Sequence, residues 1–573
     1  MCGVLLAVGG GGAMAQAAGA AAGVAGPPGA QARPELPRTH APEPTTPAIT
    51  AADLMTRLYI FADDSMQGRE AGTPGHVRGT TYIVNELKRL GVKPMGDSGG
   101  YYQVVPVAIG ALDLPGSKLI VDGTPLVAGK DFHPFPGIED LPLAMSASVQ
   151  NARVVFGGRF GASDAIRPAD ARGKLVVFLP PVGRNGPAWQ VFELADTLAL
   201  YSEAAGLLVA SYELTPPQVW GIVGEPNMML VKPETHVPVV TITRDSAAKL
   251  LGTSLDSAKV GGGTKSATLS YSQATVPPAA PARNVVAMVE GSDPQLKAEY
   301  VTLSAHSDHL GLDEEVFDHD SLRVADVLTR PLGFESPERP FAPGEAARFK
   351  TMLDSVRQLH PARRDSIANG ADDDGSGSMG LLELAEYFQT MPLRPKRSIL
   401  FVWNVAEEKG LFGSEWFTDH PTLPRDSIIA DINIDMIGRG APYDIENGGM
   451  NYLQILGSRR LSTEYGNWVE EVNARPEFSF KFDYQFDANG HPQQYYCRSD
   501  HWNFARWSIP TVFFSTGSHS DYHMVTDEPQ YIDYPHYAKV VNFVAALAAD
   551  VAARPNRPTV DKPRPDPHGA CKQ

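Results

Sequence analysis

The chain has 573 residues, 43% hydrophobic and 20% charged, which excludes a single small module and a disordered or fibrous chain and leaves room for two or more domains. Its 49 basic and 66 acidic residues give a formal charge of -17, a balance that repels nucleic acid and anionic membrane surfaces. Cys2, Cys497 and Cys571 are the only cysteines; they are too few for a disulfide framework or a thiolate metal cluster, and at most one bridge, Cys497 with Cys571, is conceivable.

No stretch reaches the roughly 20 apolar residues that a membrane-spanning helix needs, so no integral span is expected. Residues 1–15 hold a short apolar run that ends in Ala13-Met14-Ala15, a small-x-small pattern suited to signal cleavage before Gln16. They predict export to a secreted or periplasmic location, although no Lys or Arg precedes Arg33 and the positive region of a signal peptide is missing. Residues 16–49, rich in Ala, Gly and Pro, read as a disordered linker, and the proline-studded residues 552–573 as a disordered tail.

Residues 50–107 carry apolar positions at helical spacing, including Leu54, Leu58, Ile83, Leu87 and Leu90, and read as a helical lead-in. From 108 to 280 short β-branched runs take over, among them Lys118 to Val121, Ala152 to Phe156, Lys174 to Leu179, Gly206 to Ala210 and Val237 to Ile242, separated by helical stretches. A compact α/β insert is expected there. From 281 to 551 strand and helix signals alternate, with strands at Val285 to Val289, Tyr300 to Ala305, Ser398 to Asn404, Ile428 to Ile434, Gln454 to Gly457 and Thr511 to Ser515. The expected class is α/β, a mostly parallel central sheet flanked by helices with a smaller α/β insert.

Metal-type ligands concentrate directly after these strands: His306-Ser307-Asp308-His309 after YVTLSA, Glu407-Glu408 after SILFVWNVA, Asp435 after IIADINI, and His523 after PTVFFSTGSHSDY. In an open α/β sheet, sites assemble at the carboxyl ends of strands, so these segments are expected to converge. A further segment, NGADDDGSG, puts Asp372, Asp373 and Asp374 in a row before the helix SMGLLELAEYF. Three adjacent acids repel one another unless cations neutralise them or a helix N-terminus does so in part. A donor set of His, Asp and Glu without thiolate suits Zn²⁺, with Co²⁺ or Mn²⁺ as possible substitutes.

The same acidic run also fits an EF-hand calcium loop counted from Asp372 to Glu383, but no helix runs directly into its first position. No H-E-x-x-H helix occurs.

Five segments, AHSDHLG, NGADDDGSG, NVAEEKGLFGSEWF, NIDMIGR and DYHMVTDEP, taken together resemble the signature blocks of the co-catalytic, two-zinc aminopeptidase family. That family includes bacterial leucyl aminopeptidases and aminopeptidase Y and, more distantly, glutamate carboxypeptidase II. The α/β insert is similar in position to that family's protease-associated domain. The resemblance implies two Zn²⁺ per chain bridged by Asp373, one also held by His306 and Asp435, the other by Glu408 and His523. It implies Glu407 as the general base, Asp308 as the carboxylate that fixes the His306 tautomer, a cis peptide at Asp373-Asp374, and peptide substrates cleaved at the N-terminal residue. His309 reads as a structural or pocket residue, and Arg439, Arg498 or Tyr522 as groups able to recognise either chain end.

A metallocarboxypeptidase or a dipeptidase of the same family is the alternative within enzymes. A non-catalytic receptor-like binding protein and a calcium-binding protein are the rivals from other classes. Residues 312–367 form a long charged insertion, read as partly helical and as a lid or a contact surface.

Overall fold

A computed structural model of the chain describes residues 36–573 apart from 136–143, 145, 184–185, 188–194, 217–218, 221–224, 232–236, 338 and 570. The expected signal segment and most of the expected linker lie outside the described residues. The chain divides into two compact units, one spanning Pro106–Pro278 and the other comprising residues 36–105 with Ala279–Gln573.

The larger unit is built on a nine-stranded sheet. Its centre is parallel: Ser398–Asn404, Tyr300–His306, Ile428–Ile434 and Thr511–Ser515 run side by side in the same direction. Arg283–Val289 adds an antiparallel edge on one side and Tyr452–Leu456 on the other. The central strands are continuous apolar runs because both faces are covered. Val285, Ala287, Ile399, Phe401 and Trp403 pack on one face with the helices Ala51–Phe61, Pro74–Leu90, Gly375–Thr390 and Tyr534–Ala553. Their alternates Val286, Met288, Leu400 and Val402 pack on the other with Phe417 and Phe504.

The smaller unit holds an eight-stranded mixed sheet with a parallel centre, Ala147–Arg159, Leu175–Leu179, Gly206–Val209 and Val239–Ile242, and a separate three-stranded antiparallel sheet. Phe160, Phe178 and Tyr201 interlock edge-on and tilted in one of its cores.

Three expectations change. Residues 554–573, read as a disordered tail, lie against the larger unit. Thr559 N donates to Glu464 Oε2 at 2.9 Å, Thr463 N to Asp561 Oδ1 at 2.9 Å, and Cys571 is bridged to Cys497. Proline removes helix and sheet donors, but it leaves carbonyls and side chains free to be tied down in this way. Residues 36–49 are likewise held, Tyr59 Oη donating to Pro37 O at 2.6 Å and Thr45 Oγ1 to Glu386 Oε2 at 2.7 Å. The loop expected upstream of the triple aspartate is instead a strand, Arg364–Ala368, paired antiparallel with Gly311–Asp318 across the insertion. The exposed, acidic face of Gly311–Asp318 carries no apolar alternation from which that pairing could be read.

Candidate metal centre

The parallel strands deliver His306, Asp435 and the Glu407-Glu408 pair to one end of the sheet, and two of the strand exits, as well as the loop at His523, run through a non-glycine residue of positive φ. Ala406 (φ 57°) precedes Glu407, Met436 (φ 57°) follows Asp435, and His523 itself has φ 59°. Each such non-glycine residue is strained by roughly 1 kcal/mol or more, a cost that surrounding contacts must hold in place. Much of that support comes from Asp374. Its Oδ1 accepts from Met436 N at 3.1 Å and from Gly377 N at 2.8 Å, where it caps the helix Gly375–Thr390, and its Oδ2 accepts from His306 N at 3.1 Å. One carboxylate thus fixes two strand ends and a helix start.

Asp373 lies between the two imidazoles. Its Oδ1 is 3.1 Å from His306 Nε2 and its Oδ2 is 3.0 Å from His523 Nε2. Around them, Asp435 Oδ1 is 3.6 Å from His306 Nε2, and Glu408 Oε2 is 3.1 Å from His523 Nε2. Donors about 2.0 Å from a tetrahedral zinc are roughly 3.3 Å apart, so both clusters have the spacing of a zinc coordination shell. The peptide Asp373-Asp374 is cis.

Second contacts orient the donors. Ser499 Oγ donates to Asp435 Oδ2 at 2.8 Å and is itself held by Asn433 Nδ2 at 2.9 Å. His306 Nδ1 lies 3.1 Å from the backbone carbonyl of Asp308, while the Asp308 carboxylate is 3.9 Å away. The carbonyl, rather than the carboxylate, thus lies within hydrogen-bond distance of Nδ1. The Asp308 carboxylate instead accepts from Glu407 N at 3.3 Å, because the turn after His306 folds the main chain back onto the ring.

His309, read as a structural or pocket residue, reaches the cluster. Its Nδ1 is 2.7 Å from Glu408 Oε1 and 3.8 Å from Asp373 Oδ2. The close approach requires Gly370, at φ +54°, where a Cβ would lie 2.4 Å from the His309 ring and 2.3 Å from Asp373 O. Arg69, in the lead-in segment, donates to Asn369 O at 2.6 Å and Gly370 O at 2.8 Å and so fixes the approach to Asp373. Sequence spacing gives no sign of either contact.

The electrostatics follow from burial. Desolvation pushes Glu407 up, and Asp435 and Glu408 push in the same direction against His306. Burial also pushes Asp308 up to about 7, with His306 opposing and Glu408 adding. Burial lowers His523, but Glu408 and Asp373 more than reverse this, to about 9. Among the described residues, the ion-pair partners of Asp373, Glu407, Glu408 and Asp435 are imidazoles only. Buried carboxylates whose only counter-charges are imidazoles favour bound cations. The donor set therefore fits two divalent ions.

The calcium loop is not formed. Asp372 Oδ1 accepts from Gly438 N at 2.6 Å and from Ser376 Oγ at 2.9 Å, and Glu383 Oε2 accepts from Arg57 Nε at 2.7 Å. The repulsion argument for the three acids also narrows: Asp372 and Asp374 are satisfied by hydrogen bonds, and only Asp373 faces the cluster. A separate group of His319, Asp365 and Glu528 is already served by Arg363, 2.9 Å from Asp365 and paired with Glu528.

Beside the cluster lies a cavity of about 60 Å³ lined by Glu407, Met436, Gln454, Leu456, Arg498, Phe513 and Tyr522, among others. Of the groups considered for chain-end recognition, Arg498 and Tyr522 line it. Arg439 is fully buried, paired with Asp521 at 2.6 Å and Asp444 at 3.3 Å. Glu335, from within the insertion, lines the cavity as well; nothing in its sequence surroundings marks it.

Residues 284–548 match the model of Peptidase family M28, a span that contains all five segments carrying the resemblance to two-zinc aminopeptidases. The chain is 38% identical over 104 residues to leupeptin-inactivating enzyme 1 of Streptomyces exfoliatus, covering 16% of this chain and 24% of that protein. It is 28% identical over 167 residues to leucine aminopeptidase 2 of Trichophyton equinum, covering 27% and 30%. The matches thus span less than a third of either relative. Among solved structures, the aminopeptidase from Aneurinibacillus sp. strain AM-1 aligns with TM-score 0.43 and 16% identity, covering 90% of this chain and 98% of that one. Among the described residues no helix is long and apolar enough to cross a membrane.

Proposed function

We propose that the chain is a zinc-dependent exopeptidase that removes N-terminal residues from peptides, a secreted or periplasmic aminopeptidase. The observation that carries the reading is the Asp373 carboxylate, with one oxygen 3.1 Å from His306 and the other 3.0 Å from His523. His306 and Asp435 would hold one zinc, Glu408 and His523 the other, and Asp373 both. His309, against Glu408, supports that ligand from behind. Zinc bound there would acidify water and polarise a peptide carbonyl.

The chain's own residues supply the rest. Glu407 lines the cavity, 3.9 Å from His306 Nε2, and burial raises its affinity for a proton. It is therefore suited to accept the proton of an attacking water at Oε2 and return it to the leaving amine. The Asp308 carboxylate fixes the main chain at Glu407. Ser499 keeps Asp435 from turning.

The reading is tested with Leu-p-nitroanilide and its N-acetylated form. Release of nitroaniline from the free amine alone, lost with a zinc chelator, is the expected result. Cleavage only of blocked or C-terminal substrates would move the assignment to a carboxypeptidase.

A further inference from the structure

The segment Gly333–Glu335 of the insertion is seated against the loop that carries Tyr522 and His523. Phe334 N donates to Tyr522 O at 3.0 Å. At Gly333, φ +56°, a Cβ would lie 2.5 Å from Tyr522 O and 2.8 Å from His519 O, so only glycine permits the approach. This close seating brings Glu335 to the cavity wall. There its Oε1 pairs with Arg498 Nη1, and its Oε2 accepts from Tyr495 Oη at 2.9 Å and from Ser518 Oγ at 3.0 Å. Arg498 Nη2 is turned toward Tyr522 Oη at 3.4 Å. The rest of the wall includes the apolar Met436, Leu456 and Phe513 and the neutral Gln454 and Ser515.

Arg498 without Glu335 would present an unpaired guanidinium to this wall and attract a carboxylate. Glu335 without Arg498 would attract a cation. Paired, they offset each other on a wall that also carries the cluster residues Asp373, Glu407, Asp435 and His523, and an entering side chain meets no uncompensated charge from Glu335 or Arg498. We propose that Glu335 is a specificity-determining residue. Through it the 312–367 insertion neutralises Arg498 and restricts the cavity to terminal residues with uncharged side chains. The proposal rests on the aminopeptidase reading of the same site.

The test compares kcat/KM on Leu-, Glu- and Lys-p-nitroanilide for the zinc-loaded wild type, Glu335→Gln, Arg498→Gln and the double variant. Glutamine keeps the size of Glu335 and a hydrogen bond for Tyr495 or Ser518. The wild type is expected to prefer Leu. Glu335→Gln should raise the Glu to Leu ratio about tenfold or more, and Arg498→Gln should raise the Lys to Leu ratio in the same way. The double variant should return both ratios toward the wild type.

Equal losses on all three substrates, or unchanged ratios, would overturn the proposal and leave Glu335 a brace. The two single variants shift preference in opposite directions, so failure of one to fold leaves the other decisive. If no protein cleaves any of the three anilides, the wild type included, the aminopeptidase reading itself is overturned. That pattern is distinct from active enzymes with unaltered preference.

Discussion

The two units share an architecture but not a chemistry. Both are mixed sheets with parallel centres, yet every cluster of metal-type ligands found among the described residues lies in the larger one. In the smaller unit, short strands such as Val107–Leu112 and Ser266–Tyr271 alternate between buried and half-buried residues. In the larger unit the central strands are buried on both faces, and acids are delivered at their ends by strained turns. Burial on both faces is shared by the smaller unit's central strands Gly206–Val209 and Val239–Ile242; what makes the larger unit's strand ends a site is the set of donors they carry on that rigid frame.

Breaking the larger unit's site should therefore remove activity while the fold stands. Glu407→Gln is expected to lower kcat by about 10²–10⁴-fold with zinc content unchanged, checked by steady-state kinetics and elemental analysis. In the smaller unit the order reverses. Phe178→Ala removes a ring packed edge-on against Phe160 and Tyr201 and should cost about 3–5 kcal/mol in denaturant unfolding, with kcat on Leu-p-nitroanilide unchanged.

A third effect is in pH. His76 and His501, both in the larger unit, are held down to about 3 from 6.5, first by burial and then by nearby arginines. Below pH 6.5 the unfolded chain takes up protons that the folded chain refuses, so stability is lost as pH falls from 6.5 toward 3. The loss is up to roughly 1.4 kcal/mol per pH unit for each ring. Replacing both with glutamine should flatten that slope in thermal melts between pH 6.5 and 4.

The sequence was most legible where chemistry and periodicity coincide. The central strands from Tyr300 to Thr511 stand out as apolar runs, and each ends in a side chain with few other reasons to be there. His306, the Glu407-Glu408 pair, Asp435 and His523 stand out on that basis, while the choice of Asp373 among three aspartates and of Glu408 over Glu407 comes from the resemblance; the structure brings these five ligands together. Contacts formed only by the fold were not legible. Asp374 clamps two strand ends through backbone amides, which have no sequence signature. His309 depends on the space left by Gly370. Glu335 sits in a charged insertion where one acid looks like another, and only its pairing with Arg498 marks it. The ordered tail was missed because its anchors, Asp561 on Thr463 and Cys571 on Cys497, are distant in sequence.

The central claim is that Asp373 bridges two metal ions. Elemental analysis of the purified wild type and of Asp373→Ala tests it most directly, with circular dichroism to verify that both are folded. The account predicts close to two zinc per wild-type chain and loss of both in the variant, because each ion loses the ligand they share. A single zinc in the wild type, or a folded Asp373→Ala that keeps both ions, would contradict it.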